Sequence, residues 1–394
     1  PAPWLSAKDV QEVEKFPFDK GALGLQRYAL VVAKFARWRL KTSGATHINF
    51  ACHSMGCLII RHLLENDYEQ LASEQKVVRW FTNTGVIAGA RLARLYDNPA
   101  IQQGAKALGL ELSDFVLMNP DYVMDTTAAW DHKLYAGNNP LLGGILTHHT
   151  TATDPKIAEA LGIQLLDLNN PGDEPNDGIM YTLDEYFHSQ TAAGSATTKA
   201  GVKLPSTRSY GFYDHMTNPG SWTAGVLAAA ALVGRRKVVI RLTELEVLDD
   251  LEQANPLDFS EAGQPPADVA AEVLVRYDPW AAGKVGKAVA VSEQRIAHRS
   301  AELVQVKEGA TAKPGLVLFA GPVHDDMKEL HLEVELLESD WYPRFGIKET
   351  VPGIGKVNKP MVSFKGAVAL QNKSIEVKGS AARMVMEVTV HDMY

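Results

Sequence analysis

The chain has 394 residues, 46% hydrophobic and 22% charged, with 39 basic against 47 acidic side chains and a formal net charge of −8. That length suggests two domains, and the composition excludes a disordered, collagen-like or disulfide-stapled chain. No apolar run reaches the roughly 18 residues of a membrane-spanning helix, the acidic balance argues against a nucleic-acid-binding protein, and two cysteines, Cys52 and Cys57, are too few for a disulfide framework or a four-ligand zinc site.

In chain order, the first residue is Pro1, which leads to the expectation of a trimmed chain with any targeting segment upstream. Residues 22–41 place Leu25, Tyr28, Val32 and Phe35 on helical spacing, and Gly44 follows as a stop signal. A short strand over 47–51, a sharp turn and a second helix over 58–64 form the strand–turn–helix unit of an α/β fold. Strands are expected at Val77–Asn83 and Gly162–Leu168. The stretch between them is too long for a plain connection, which predicts an inserted cap at about 94–153. Residues 190–210, rich in Ser, Thr, Ala and Gly, read as a surface loop.

After Gly234 the pattern changes. Val238, Ile240 and Leu242 fall at every second position, as do Leu330, Leu332, Val334 and Leu336, and then Met384, Met386 and Val388. Period-two runs between Gly, Pro and Asp turns predict an antiparallel β domain over 236–394, with residues 251–268 as a loop inside it. The catalytic half is then 1–235. The chain has neither an internal repeat nor coiled-coil heptads.

Cys52-His53-Ser54-Met55-Gly56, between an apolar strand and an apolar helix, has the context of a nucleophile elbow. Such a turn needs small residues two before and two after the serine; Gly56 meets this, and Cys52 stands where the usual motif has glycine. The turn exposes the Ser54 hydroxyl at a helix start, where the Met55 N–H and the helix dipole favour a developing oxyanion. A serine nucleophile needs a base, and the base needs an orienting acid. In α/β hydrolases the chain order is serine, acid, histidine. Asp177, in Asn176-Asp177-Gly178-Ile179, and His215, in Tyr213-Asp214-His215-Met216, follow Ser54 in that order. Asp173 and Asp184 are alternative acids, and Asn-Asp-Gly is also strong turn chemistry. His188 is an alternative base, His148 and His149 fall in the expected cap, and Cys52 and Cys57 read as buried free thiols.

These segments resemble the α/β-hydrolase superfamily and, within it, the bacterial secreted triacylglycerol lipases, which have a histidine–serine elbow, an Asn-Asp-Gly-Ile/Val acid loop and an Asp-His pair near the domain's end. Thr82-Asn83-Thr84-Gly85 and Ala88-Gly89-Ala90-Arg91-Leu92-Ala93 resemble the strand after the elbow in these lipases. The resemblance covers residues 22–235 in outline. It implies an α/β-hydrolase domain with Ser54 as nucleophile, Asp177 as acid, His215 as base and Met55 as one oxyanion donor. The family places several strands before the elbow, one of which supplies the second oxyanion N–H. Only 53 residues precede Ser54 here, and none of Pro1–Gly21 reads as such a strand. The expectation is that an upstream segment or a second chain completes the sheet; a strand at Gly315–Ala320 taking that place, or a crippled site, are the alternatives.

In the β domain, acids gather at turns: Asp249, Asp250 and Glu252, then Asp268, Asp325, Asp326, Glu338 and Asp340. Leu332–Asp340 resembles a C2-domain strand ending in its calcium loop, and Lys237–Leu242 followed by Asp249-Asp250 resembles the opening strand and first loop. That resemblance implies a C2-like β-sandwich in which Asp249, Asp250, Asp325, Asp326 and Asp340 could hold Ca²⁺, with Trp280 and Trp341 as interfacial candidates; solvated turn acids are the plainer alternative. The functional expectation is a lipase or phospholipase needing no cofactor for its chemistry, acting on a lipid or other ester at a membrane surface, and secreted or translocated. The rival readings are a non-catalytic lipid- or partner-binding scaffold and an acyltransferase using the same residues.

Overall fold

The computed structural model describes residues 3, 5–15, 24–91, 93, 98–107, 118, 140–152, 176–187, 196–197, 201, 203–204, 206–211, 213–249, 266–277, 289–296, 304–339 and 358–393. The chain divides into two compact units. One holds 1–170, 175–234 and 392–394; the other holds 171–174 and 235–391.

The first unit is built on four parallel strands: β1 (Ile48–Ser54), β2 (Val77–Gly85), β3 (Leu146–Ala152) and β4 (Thr207–Gly211), ordered β1-β2-β3-β4. Helix α1 (Ala7–Lys15) precedes α2 (Leu25–Ser43), which ends at Gly44 with a left-handed φ of 69°. Glycine meets that conformation without a Cβ penalty, as the sequence stop signal implies. Helix α3 (Met55–Glu65) leaves β1, α4 spans Pro99–Ala107, and α5 (Trp222–Val233) is capped by Ser221, whose hydroxyl accepts the Ala224 N–H at 3.1 Å.

The two faces of β1 have different neighbours. Ile48, Phe50 and Cys52 pack against a core of Ala29, Ala33, Ala36, Leu63, Leu64 and Trp80 from α2, α3 and β2. On the other face the Asn49 amide donates to the Leu232 carbonyl at the end of α5, at 2.9 Å. Central strands of a parallel sheet are covered on both faces, and every residue of β3 is accordingly buried.

Several expectations change here. The third strand is Leu146–Ala152, inside the stretch expected to be cap. Its run Thr147-His148-His149-Thr150-Thr151 reads as polar, yet it lies inside the sheet, where most of these side chains, though not His149 Nε2 or the Thr150 hydroxyl, find hydrogen-bond partners. His148 bonds Thr207 Oγ1 at 2.7 Å and Ser209 Oγ at 3.0 Å; Thr151 donates to the Ser209 carbonyl at 3.1 Å. Most of the remaining cap region, and the strand expected at 162–168, lie outside the described residues. Residues 207–211, expected as loop, form β4.

The second unit is antiparallel. One sheet runs β8 (Leu316–Val323), β5 (Arg236–Val247), β12 (Ala382–Asp392) and β11 (Lys373–Lys378). The other centres on β6 (Ala267–Tyr277), with β7 (Val289–Ile296) on one side and β9 (Glu329–Ser339) then β10 (Asn358–Ala369) on the other. Tyr277 links the sheets: its ring meets Phe319 edge-on at 6.2 Å and its hydroxyl donates to the Pro322 carbonyl at 2.7 Å. Such a buried phenol both fills the core and satisfies its own polar tip. Strand 316–323 pairs with β5, so it does not take the place beside β1 considered for Gly315–Ala320. Among the described residues β1 pairs with β2 alone.

Candidate active site

In a parallel sheet all carboxyl ends fall along one edge, where open α/β sheets bind ligands. Ser54 ends β1, and Tyr213–His215 follow closely on β4. Ser54 has φ 52° and ψ −133°, a strained conformation for a residue with a Cβ. This is the tight turn that the elbow sequence requires. It is held where the Ser54 carbonyl accepts the Val86 N–H at 3.1 Å. A Cβ on Gly56 would meet the Cys52 Cβ at 3.9 Å, ordinary contact, so Cys52 is accommodated opposite it. The tighter requirement falls on Gly85 at the end of β2, where a Cβ would lie 2.7 Å from the Cys57 Cβ. That glycine lets the first turn of α3 approach the sheet, and the local sequence carried no sign of it beyond a glycine ending a strand. Met55 opens α3, so its N–H lacks an intrahelical acceptor.

Asp177 occupies the tip of a tight turn. Its N–H donates to the Met180 carbonyl at 3.0 Å, and its Oδ1 accepts the Ile179 and Met180 N–H groups at 2.9 and 2.7 Å. Gly178, with φ 91°, supplies the left-handed step. Turn chemistry and site chemistry, posed as rivals by the sequence, are therefore the same device: two backbone donors aim one oxygen, leaving Oδ2 to point elsewhere. Oδ2 accepts from His215 Nδ1 at 2.5 Å, and His215 Nε2 lies 2.9 Å from Ser54 Oγ. Asp177 is 0% and His215 2% exposed, so this charge-assisted bond acts in a low-dielectric setting. A carboxylate only accepts, which puts the proton on Nδ1 and leaves the Nε2 lone pair for the Ser54 hydroxyl. The trio can thus deprotonate the serine hydroxyl and stabilise the imidazolium that results.

The alternatives are engaged elsewhere. Asp184 holds the Arg91 guanidinium at 3.0 Å, and its carbonyl accepts the Ile87 and Ala88 N–H groups. His148 and His149 are interior sheet residues rather than cap residues. His149 bonds Thr82 Oγ1 at 2.8 Å, and burial pushes its pKa well down. Asp173 and His188 lie outside the described residues. Burial pushes the Cys57 thiol well up, which suits an unreactive core thiol. The sequence reading missed two neighbours. Asp214 Oδ1 accepts the Met216 and Thr217 N–H groups, both at 2.9 Å, and so shapes the loop that carries His215; an Asp followed by polar turn residues was the available signal. Glu185 is fully buried, and burial followed by the nearby Asp177 raises its pKa well above the carboxylate range.

Of the five acids proposed for calcium, Asp250 and Asp340 lie outside the described residues, as do Trp280 and Trp341. Asp325 accepts the Arg235 N–H at 2.7 Å, Asp326 approaches His324 at 3.6 Å, and Asp249 uses its N–H on the Ala381 carbonyl at 3.2 Å. Among the described residues no group of three or more His, Cys, Asp or Glu is arranged to hold a metal ion, and no helix is long and apolar enough to cross a membrane.

No family model and no curated protein matches the chain. Among solved structures it is similar to the mature form of the Bacillus licheniformis lipase BlEst2, at 15% identity over 49% of this chain and 68% of that one, with a TM-score of 0.36. It is also similar to phospholipase PlaB from Legionella pneumophila, at 10% identity over 87% and 81% of the two chains, TM-score 0.34. A C2 domain matches at 8% identity over 40% of this chain and 98% of its own, TM-score 0.20. At these values the functional reading rests on side-chain geometry. The molecule combines a parallel-sheet α/β unit, in which Ser54, His215 and Asp177 form one hydrogen-bonded chain, with an antiparallel β-sandwich unit.

Proposed function

We propose that the chain is a serine hydrolase of carboxylic esters, with lipids as the substrate class. Ser54 Oγ attacks the acyl carbonyl while His215 Nε2 takes its proton. Met55 N–H receives the oxyanion. His215 then returns the proton to the leaving alcohol, a water repeats the sequence on the acyl-enzyme, and Asp177 holds the imidazole tautomer throughout. The chemistry takes no metal or cofactor. The observation that carries the reading is the pair of bonds, 2.5 Å from Asp177 to His215 and 2.9 Å from His215 to Ser54, across residues that are remote in sequence. The lipid assignment is supported by Met216, an apolar side chain 56% exposed directly after the buried His215.

Among the described residues one edge of β1 has no strand partner, which bears on the second oxyanion donor. An exposed strand edge offers unpaired N–H and C=O groups, and a strand from an upstream segment or a second polypeptide alongside β1 would satisfy them and bring a further N–H near Ser54.

A fluorophosphonate probe tests the proposal. Labelling of the wild type that is abolished in Ser54→Ala is the expected result, with ester turnover falling by on the order of 10⁶. An unlabelled wild type would leave the scaffold reading; labelling with acyl transfer to an added alcohol in preference to water would make the protein an acyltransferase.

A further inference from the structure

His53, immediately before the nucleophile, plays no part in the mechanism above, yet it touches the base. Its Nε2 lies 3.0 Å from the carbonyl oxygen of His215, and the two rings pack at 5.0 Å between centroids with a 44° tilt. A carbonyl only accepts, so His53 Nε2 carries the proton and donates it. Burial, followed by the neighbouring His215, holds the His53 imidazole below its ordinary pKa, which keeps it neutral beside a ring that must become positive.

This bond completes the restraint of His215. The His215 N–H donates to the Asp177 carbonyl at 3.1 Å, and its Nδ1 donates to Asp177 Oδ2 at 2.5 Å. On the chain that follows, Asp214 grips the Met216 and Thr217 N–H groups. The His215 carbonyl is the remaining polar group of that residue, and its partner comes from the strand that carries Ser54. The chain from Ser54 to His53, across to the His215 backbone, and back from its imidazole to Ser54 Oγ is a closed loop of bonds. It joins two segments separated by 161 positions. Acid and base are matched within the 177–217 region; among the described residues the His53 bond is the one that ties the backbone of His215 to the residue preceding Ser54.

We propose that His53 is a positioning residue: by donating to the His215 carbonyl it fixes the height of the imidazole above the elbow, and with it the Nε2–Oγ distance. The inference rests on the reading of Ser54, His215 and Asp177 as a triad. Misplacement of a catalytic group by about 1 Å costs on the order of 100-fold, which sets the scale expected.

The test compares His53→Ala and His53→Phe, which lack the donor, with His53→Gln, whose amide reaches a similar distance and can donate. On a soluble p-nitrophenyl ester, the Ala and Phe variants should lose about 10- to 100-fold in kcat with KM within about two-fold. Gln should recover most of the loss. The second readout is the downfield proton resonance of the His215 Nδ1–H bond to Asp177, by NMR. It should be sharp in the wild type and in His53→Gln, and weakened or shifted upfield in His53→Ala and His53→Phe, at unchanged Tm. An Ala or Phe variant with wild-type kcat, a KM rise at constant kcat, or an unaltered downfield resonance would overturn the proposal. If the wild type turns over no ester at all, the triad reading falls, and the resonance alone decides whether His53 positions His215.

Discussion

The two units bury their strands under different rules. In the sandwich unit, β9 points Leu330, Leu332, Val334 and Leu336 inward while Glu333 and Glu335 remain partly exposed. Its cross-strand partners repeat the alternation, and Glu333 is paired with Arg276 and with Lys365. In the parallel unit, β2 and β3 are covered on both faces and bury Arg79, Thr82, Asn83, Thr147, His148, His149, Thr150 and Thr151. Many of those groups find specific partners across the sheet or at its ends: Arg79 donates to the Ala231 carbonyl at 3.2 Å and also to the Gly234 carbonyl, and Asn83 accepts from Asn218 at 2.6 Å. A buried polar group without a partner costs about 1–3 kcal/mol. The parallel unit therefore depends on many matched pairs, whereas the sandwich depends chiefly on apolar area. The matched pairs are what a site needs, because each one also fixes an orientation.

The sharpest probe of this contrast is Asp177→Asn. The volume is unchanged and the turn bonds to Oδ1 can persist, but the amide favours the wrong imidazole tautomer. Turnover should fall by on the order of 10⁴ while Tm stays close to the wild type; steady-state kinetics beside a thermal melt checks both. A Tm loss comparable to a core truncation would mean that the pair is structural.

Leu332→Ala makes the complementary cut in the sandwich. Leu332 is wholly buried, and its truncation should cost about 2–5 kcal/mol in urea unfolding. Turnover per folded molecule, measured below the unfolding midpoint, should be unaffected. A change in kcat would break the separation of roles between the units.

The smallest effect is acid sensitivity of the parallel unit. Burial pushes His62 from 6.5 down to about 4. A histidine with a depressed folded-state pKa contributes stability that is present above pH 6.5 and is lost as pH falls from there toward 4, since the unfolded chain takes up the proton first. The loss amounts to about 3 kcal/mol at most from this residue, with His149 adding in the same direction. Urea midpoints taken between pH 7 and pH 4.5 should fall, and His62→Gln should flatten the slope. A flat wild-type profile would contradict the burial assigned to α3.

Legibility in the sequence followed the same divide. Strands β9 and β12, and β5 from Arg241 onward, could be read from period two, because one face of each is partly wet. The elbow could be read because its strand, turn and helix are contiguous and the strained serine leaves a local mark. Asp177 and His215 could be ordered relative to Ser54 by chain sequence and by resemblance. Strand β3 could not be read, since a buried parallel strand carries no alternation and its threonines and histidines imitate a polar segment. The need for glycine at position 85 was equally hidden, because the cysteine that crowds it belongs to another element.

The sequence by itself determined the α/β character of the first half, the antiparallel character of the second and the candidacy of Ser54, all properties of short contiguous stretches. Only the tertiary structure decided which acid and which histidine meet that serine, that 146–152 is a strand, and that His53, beside Ser54, reaches the His215 backbone. Those outcomes depend on distances between residues far apart in the chain. Such distances are set by which buried polar groups can be satisfied together, and no local pattern encodes that.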